Sequence, residues 1–394
     1  MIVMKKKKFV ILMVTLVILG MVLTLALSYG FILQNGSVMV SKDRYDQLKE
    51  IYDTYGKTEY LRRLIDEEYY LKVDKTDLIE GINKGLFSGL KDPYSEYLTK
   101  EEYEELMIDT IGEFEGIGVY ITTHEDGSIV VSSTILGSPA YEKNIMPGDI
   151  ITAIDKVFYS GNEIDKAARA LRGEKGTNVT LSILRDKTPM EVTLVRGTIN
   201  TITVYGKVLS QNIGYIRIAQ FEKNTSSEFE REFINLEEKG VKGIVIDLRS
   251  NGGGLLDPGV KIADLLLKQC VITYSEDRNK NREYYNSDNR AYVTPYCLLV
   301  NRWTASTSEI LAASVKSNKG GLILGEKTFG KGVVQTVKSL PDGDGVKLTV
   351  MQFFAPNGET IHKKGVTPDI EIIEEEGEGE DIVLERAVEE LSNL

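Results

Sequence analysis

The sequence predicts a multidomain α/β protein, and three observations lead to that fold class. Its 394 residues are enough for two or three domains, and 42% hydrophobic with 27% charged residues is ordinary for folded proteins. Strand-like and helix-like segments alternate over residues 199–370, which favours a core with parallel strand pairing. A compact unit over 106–198 and a helical stretch over 41–105 precede that core.

The N-terminus has the residue order of a membrane anchor. Lysines at 5–8 precede nineteen uncharged residues, 9–27, a run long enough to span a bilayer. The lysines should stay in the cytoplasm, which places the rest of the chain outside it. Small residues at 26–28 also allow signal-peptide cleavage. Residues 1–35 are therefore expected to be a single-pass anchor in the cell membrane, or a cleaved signal that leaves a secreted protein.

The next region, 41–105, is expected to be helical because apolar residues recur at spacings of three and four. Asp74 is a suitable N-cap, and the pair Asp92-Pro93 predicts a turn before another short helix. A helical region of this kind can pack on a neighbour, so a homodimer is one expectation.

Residues 106–198 have the size of a small domain. Alternating apolar and polar residues around Asp126-Gly127 predict a hairpin. A short helix, a Pro-Gly turn and a strand follow at 138–155. The run 162–173 is typical of a helix that ends at glycine, and two further strands complete the unit.

Residues 199–372 are expected to form the α/β core. Its predicted helices are 223–239, 257–267 and 306–318. Its predicted strands are 213–219, 243–249, 296–301, 321–326, 345–355 and 369–373. Residues 373–394 then supply an acidic linker, 374–381, and an amphipathic helix, 382–391.

Composition narrows the function classes. A net charge of −12 argues against nucleic-acid binding. Two histidines and two cysteines give no zinc-ligand spacing, so no metal or cofactor is expected. Cys270 and Cys297 lie in strand-like apolar runs, which favours buried free thiols over a disulfide.

Two segments have residues suited to catalysis and an equally ordinary structural explanation. "DLRSNGGG" (247–254) follows a predicted strand, and its glycines suit an oxyanion hole, a phosphate cradle or a flexible turn. "TASTSEI" (304–310) places four hydroxyls before a helix, where one could be a nucleophile. Ser and Thr are also favoured N-caps, and Ser306 with Glu309 has capping-box spacing.

A third segment, "GEKTFGKGVVQ" (325–335), holds a candidate base. Lys331 would need a pKa near 7–8 instead of about 10.4, a change of ~4 kcal/mol that burial in an apolar pocket can supply. The alternative is a surface lysine in a glycine loop; Gly332 after it rules against a Walker loop. His362, with Asp369 as orienter, is the rival base, and His124 lies in the predicted hairpin turn.

Nine segments together resemble the C-terminal processing peptidases, or tail-specific proteases, a Ser–Lys family with an inserted PDZ domain. They run in the family's order and cover most of residues 80–370. The segments are 89–99, 114–121, 138–155, 171–177, 214–221, 244–256, 304–315, 325–335 and 354–369.

The resemblance implies a crotonase/ClpP-like α/β protease core over 199–372, a PDZ domain over 106–198 and a list of site residues. The family's Ser-Ala-Ser-Ala-Ser-Glu motif carries the nucleophile onto Ser306, although threonines stand at 304 and 307. Its TFGKG segment carries the base onto Lys331, with Gln335 as the orienting residue. The oxyanion donors map onto Gly252 and Gly253, with the amide of Thr307.

The PDZ domain is expected to bind the C-termini of protein substrates. Its carboxylate-binding loop maps onto Gly116, Ile117, Gly118 and Val119, and a bound peptide adds a strand along that edge. Arg172 follows a helix and is either a solvated helix-end cation or a regulatory residue that reaches across a domain boundary.

The function implied is a membrane-anchored serine endopeptidase that recognises substrate C-termini and cleaves near apolar C-terminal segments. One alternative is a non-catalytic PDZ adaptor on a protease-like core. Another is a lyase or hydratase on the related crotonase fold, although a PDZ insert does not suit that chemistry.

Overall fold

The computed structural model describes residues 5–34, 40–373 and 380–393, and it divides into two compact units, residues 1–82 and 83–394. Most of the acidic linker expected at 374–381 lies outside the described residues, as do 1–4 and 35 of the expected anchor.

The first unit is helical. It holds α1 (Lys6–Gln34), α2 (Lys42–Glu68) and the start of α3 (Lys75–Ser88). Residues 6–30 of α1 are long and apolar enough to cross a membrane, and their side chains are exposed. The two helical segments expected within 45–71 form the single helix α2, which Ser41 caps. Asp74 accepts a hydrogen bond from Thr76 N at 2.8 Å, as its cap position predicted.

The inserted domain in the second unit is mainly antiparallel sheet. From residue 96 to 200 the elements are β1 (Glu96–Leu98), α4 (Lys100–Ile111), β2 (Glu113–Gly116), β3 (Val119–Thr123), β4 (Ile129–Thr134), α5 (Pro139–Glu142), β5 (Ile150–Ile154), β6 (Val157–Phe158), α6 (Ile164–Leu171), β7 (Asn178–Arg185), β8 (Thr188–Val195) and β9 (Gly197–Asn200). The sheet of this domain has the order β3-β4-β5-β7-β8, with β6 paired to β5, and α6 packs against it to close an apolar core. The pair β2–β9 brings the two chain ends of the domain side by side.

The remaining elements build the α/β core. They are β10 (Val204–Val208), β11 (Gly214–Ile218), α7 (Thr225–Glu238), β12 (Ile244–Asp247), α8 (Leu256–Leu266), β13 (Val271–Asp277), β14 (Arg282–Asn286), β15 (Tyr296–Val300), α9 (Thr307–Asn318), β16 (Leu322–Gly325), β17 (Val333–Ser339), β18 (Gly345–Phe354), β19 (Ile370–Glu371) and α10 (Ile382–Ser392). The main sheet has the order β10-β11-β12-β15-β16-β19 and is parallel from β11 onward.

Both faces of this sheet are covered, as parallel sheets require. Along β12, Ile244 and Ile246 face the layer of α7, α8 and α9, while Val245 faces α10. Arg249, just after β12, donates to both carboxylate oxygens of Asp381 at 2.8–2.9 Å and so attaches α10 to the end of that strand. Both cysteines are free thiols, as expected; Cys297 is buried, whereas Cys270, also expected to be buried, is partly exposed.

A second sheet has five strands in the order β1-β18-β13-β14, with β17 also paired to β18. The strands β14 and β17, and β10 of the main sheet, were not among the predicted strands, because polar and exposed positions interrupt their apolar pattern. β1 pairs antiparallel with β18, Glu96 opposite Lys347, and this pairing joins the segment after α3 to the core.

Candidate active site

Ser306 occupies a sharp turn between β15 and α9. Its backbone has φ 58° and ψ −119°, a region that costs a non-glycine residue about 1–3 kcal/mol and that the usual N-cap geometry does not use. A strained strand-to-helix turn exposes a nucleophile at the positive end of its helix. The turn also forms the capping box expected of Ser306 and Glu309, so Ser306 caps α9 and still has the backbone geometry of a nucleophile.

The four hydroxyls of this segment have different partners. Those of Thr304, Thr307 and Ser308 are buried and donate to the main-chain carbonyls of Leu248, Gly254 and Asn251 at 2.9–3.1 Å. The Ser306 hydroxyl donates to no group among the described residues and is partly exposed. Only this hydroxyl of the four is free to attack a substrate.

Glu309 joins the serine turn to the lysine loop. Its buried carboxylate accepts from Ser306 N at 2.9 Å and from Lys331 N at 2.7 Å, and from Gly330 N and Thr328 Oγ1 at 2.6 Å. Burial raises the pKa of Glu309, and the four hydrogen bonds act in the opposite direction. One carboxylate thereby fixes the backbone on both sides of the expected dyad.

The glycine turn after β12 passes directly against Ser306. A Cβ placed on Gly253, whose φ is 100°, would lie 2.7 Å from the Ser306 Cβ, so only glycine permits this approach. The Gly253 N–H donates to Asn251 Oδ1 at 2.9 Å. Because this donor already has an acceptor, the structure does not support Gly253 as an oxyanion donor. Within the described residues, the amides of Gly252 and Thr307 have no acceptor.

Lys331 is half-buried in the loop that Glu309 holds. Its Nζ lies 5.0 Å from the centroid of the Tyr94 ring. Burial of the amine lowers its pKa, and the positive charge of Lys347 lowers the pKa further. Carboxylates act the other way, in the order Asp92, Glu309 and Glu96. The net direction is the one that a lysine base requires.

The structure does not complete the hydrogen-bonded dyad. No hydrogen bond among the described residues joins Ser306 Oγ, Lys331 Nζ and the Gln335 amide. Gln335, on β17, donates instead to Thr349 Oγ1 at 3.4 Å. Glu309 holds the two loops next to each other, but the Ser306 hydroxyl and the Lys331 amine are not hydrogen-bonded to each other.

Neither histidine has the surroundings of a triad base. His124 is exposed in a hairpin turn beside Asp126. Burial lowers the pKa of His362, and its buried Nδ1 has no partner within the described chain. Asp369, the expected orienter, accepts instead from Ile323 N at 3.0 Å.

The expected peptide loop lies at the open edge of the inserted domain. Gly116 ends β2, Ile117 and Gly118 form the loop, and Val119 begins the edge strand β3. The amides of Ile117 and Gly118 have no acceptor among the described residues. Beside them lies a cavity of about 350 Å³ between β3 and α6. A strand edge, free amides and a flanking groove suit an extended peptide that ends in a carboxylate.

Arg172 borders the same cavity at the C-terminal end of α6. Its guanidinium stands 5.4 Å from the centroid of the Phe114 ring. Gln220 and Glu222, which follow β11 of the core, also line the cavity, so the groove is shared between the inserted domain and the core.

The sequence matches known protein families over each of its three regions. Models for peptidase family S41, the PDZ domain and the N-terminal domain of activating protease CtpB match residues 212–372, 106–184 and 18–102. The carboxy-terminal processing protease CtpA of Bacillus subtilis is 35% identical over 367 residues, 92% of this chain and 76% of that relative. The chain belongs to this protease family.

Two further proteases are similar to this chain, one in sequence and one among solved structures. The carboxyl-terminal-processing protease of Synechocystis is 38% identical over 298 residues, 74% of this chain and 70% of the relative. The solved photosystem II D1 C-terminal processing protease is 28% identical, with a TM-score of 0.48, over 85% of this chain and 94% of that one. The family models and the two curated relatives make the protein a C-terminal processing serine protease with a PDZ domain, which decides against the lyase and the non-catalytic adaptor.

Sequence reasoning missed two side chains at the centre of the protease site. Glu309 was recognised only as a capping-box partner, although its hydrogen bonds reach the lysine loop. Tyr94 was part of a matched segment without an assigned role, and it contacts Lys331 across 237 residues of chain. Only the spacing of Ser306 and Glu309 offered a signal for the first, and no local pattern signalled the second.

Replacement of Glu309 by glutamine should impair the protease more than a surface change does. The glutamine NH2 group would face N–H donors and leave a buried amide unpaired, at about 1–3 kcal/mol. We expect roughly tenfold or greater loss of cleavage and a lower unfolding temperature. Glu238→Gln, at an exposed site on α7, is the matched control, and equal activity of the two variants would contradict the bridging role.

Proposed function

We propose that the protein is a membrane-anchored endopeptidase that uses a Ser306–Lys331 dyad and selects substrates by their C-termini. The observation that carries the proposal is the free hydroxyl of Ser306 at a strained turn, with two unpaired amides and a desolvated lysine loop beside it. No histidine in the described chain has a comparable setting.

In the proposed reaction, neutral Lys331 takes the proton of Ser306 Oγ while that oxygen attacks the peptide carbonyl. The amides of Gly252 and Thr307 donate to the resulting oxyanion, at up to ~3 kcal/mol each. The lysine ammonium then protonates the leaving amine, and water hydrolyses the acyl-enzyme by the same steps in reverse. Gln335 orients the lysine once the side chains of the two residues have moved together.

Substrate choice follows from two surfaces. The groove between β3 and α6 accepts an extended C-terminal peptide whose carboxylate meets the amides of Ile117 and Gly118. Near the nucleophile, Trp303 and Phe329 expose more than half of their side chains, 58% and 53%. Exposed aromatic side chains at this place suit apolar residues of the segment to be cleaved.

Localisation is inferred from α1, which we propose to be a single-pass anchor with the catalytic body outside the cytoplasm, or a signal whose cleavage releases a secreted enzyme. The exposed apolar side chains of α2, such as Leu48 and Tyr52, suit pairing with a second copy of the chain.

Ser306→Ala and Lys331→Ala should each abolish cleavage without unfolding the protein. Lys331→Arg should not restore cleavage, because arginine stays protonated at any working pH. The assay uses the detergent-purified full chain and an unstructured protein with an apolar C-terminus, with fragments identified by mass spectrometry. His362→Ala is the control and should cleave; a dead, folded His362→Ala enzyme or an active Lys331→Arg enzyme would refute the lysine mechanism.

The rate of cleavage should rise with pH on the acid side as Lys331 loses its proton. Burial lowers the pKa of the amine, so the midpoint should lie well below the value of about 10.4 for free lysine. The measurement is the pH dependence of kcat/KM for one reporter peptide. A midpoint near 6.5 that disappears in His362→Ala would instead identify the imidazole as base.

Peptide occupancy of the groove should change the cleavage rate, because the groove includes Gln220 and Glu222 of the core. Arg172 borders the groove and is the proposed link. The test measures reporter cleavage with and without a short apolar-ended peptide in wild type and Arg172→Ala. A response in wild type only supports the link, and identical responses remove Arg172 from it. A fully active PDZ deletion would mean that the domain restrains the site.

A further inference from the structure

Tyr94 contacts both Lys331 and His362. Its ring centroid is 5.0 Å from Lys331 Nζ, within cation–π distance. The His362 ring packs against it in a T-shaped arrangement, at 6.5 Å between centroids and an interplanar angle of 68°. The aromatic ring therefore forms one wall of the space around the lysine amine.

The turn that carries Tyr94 is fixed at several points. Asp92 accepts from Tyr94 N at 3.1 Å and from Ser95 Oγ at 2.6 Å. Ser95 Oγ in turn accepts from Thr349 N at 2.9 Å. Thr349 lies opposite Gln335 in the β17–β18 pair and receives the hydrogen bond of that side chain. The ring is thus attached to the strand pair that also carries the residue expected to orient the lysine.

We propose that Tyr94 is a positioning residue for the lysine base, whose ring holds the Lys331 amine within the site and keeps water away from it. The inference rests on the proposed role of Lys331. It assigns the work to the ring and none to the phenol hydroxyl, which has no hydrogen-bond partner among the described residues.

The ring has two opposing electrostatic effects. Its face attracts the ammonium form by about 0.5–2 kcal/mol, which favours protonation. Its bulk excludes water, which favours the neutral amine, and burial can lower the pKa of a lysine by several units. Burial is the largest cause of the lowered pKa of Lys331, and the Tyr94 ring, 5.0 Å from the amine, is part of what buries it, so the proposal takes water exclusion as the larger effect.

The other groups around the amine do not reverse this balance. The charge of Lys347, on β18, also lowers the pKa of Lys331. Asp92 in the turn, Glu309 on α9 and Glu96 on β1 raise it. The lowered pKa of His362 leaves that ring neutral near pH 7, and the raised pKa of Tyr94 keeps the phenol protonated.

The test compares Tyr94→Phe, which keeps the ring, with Tyr94→Ala, which removes it. The readout is the pH dependence of kcat/KM for the full-length enzyme. Tyr94→Phe should follow the wild-type profile within about twofold. In Tyr94→Ala the acid limb should move to higher pH, with roughly tenfold slower cleavage at neutral pH for each unit of displacement and recovery at alkaline pH. Tyr70→Ala, at an exposed position of the first unit, controls for loss of a tyrosine.

The outcomes separate this inference from the proposed mechanism. A Tyr94→Ala enzyme with equal loss at every pH would mean a structural role only and would overturn the inference, as would a Tyr94→Phe enzyme as impaired as Tyr94→Ala. An unfolding temperature for each variant shows whether the fold is kept. If Lys331→Arg cleaves normally, the lysine mechanism itself fails, whatever the Tyr94 variants do.

Discussion

The geometry of the site depends on one buried carboxylate. Glu309 accepts hydrogen bonds from the amide of Ser306 and from two successive amides of the lysine loop, all between 2.6 and 2.9 Å. A buried acceptor with several donors is worth far more than an exposed one, because its loss leaves those donors unpaired. The turn that carries Ser306 and the loop that carries Lys331 therefore move together or not at all.

Close backbone contact holds the glycine turn beside Ser306 in the same way. Asn251 is fully buried and connects three segments: it accepts from Ala305 N, and its side chain bonds Ile218 O and Gly253 N. This arrangement leaves the Gly252 amide unpaired beside Ser306. The rigid parallel sheet below the turns keeps the free donor and the free hydroxyl in place without any contribution from substrate.

On the lysine side of the site the loop backbone is fixed, but the side chains of Lys331 and Gln335 are not hydrogen-bonded to each other. Lys331 Nζ faces the Tyr94 ring, while Gln335 donates to Thr349 on the neighbouring strand. A reaction would need only side-chain movements in this region, because the backbone of the loop is already fixed.

The sequence by itself determined the fold class, the main helices and strands of the core and the candidate nucleophile, since apolar periodicity and short motifs are local properties. Tertiary structure alone decided which hydroxyl stays free, because Thr304, Thr307 and Ser308 bond carbonyls more than fifty residues away. Tertiary structure also forms the hydrogen bond from Gly253 N to Asn251 and places the Tyr94 ring next to Lys331. β14 and β17 escaped prediction because half-exposed strands depend on pairing, which no local pattern records.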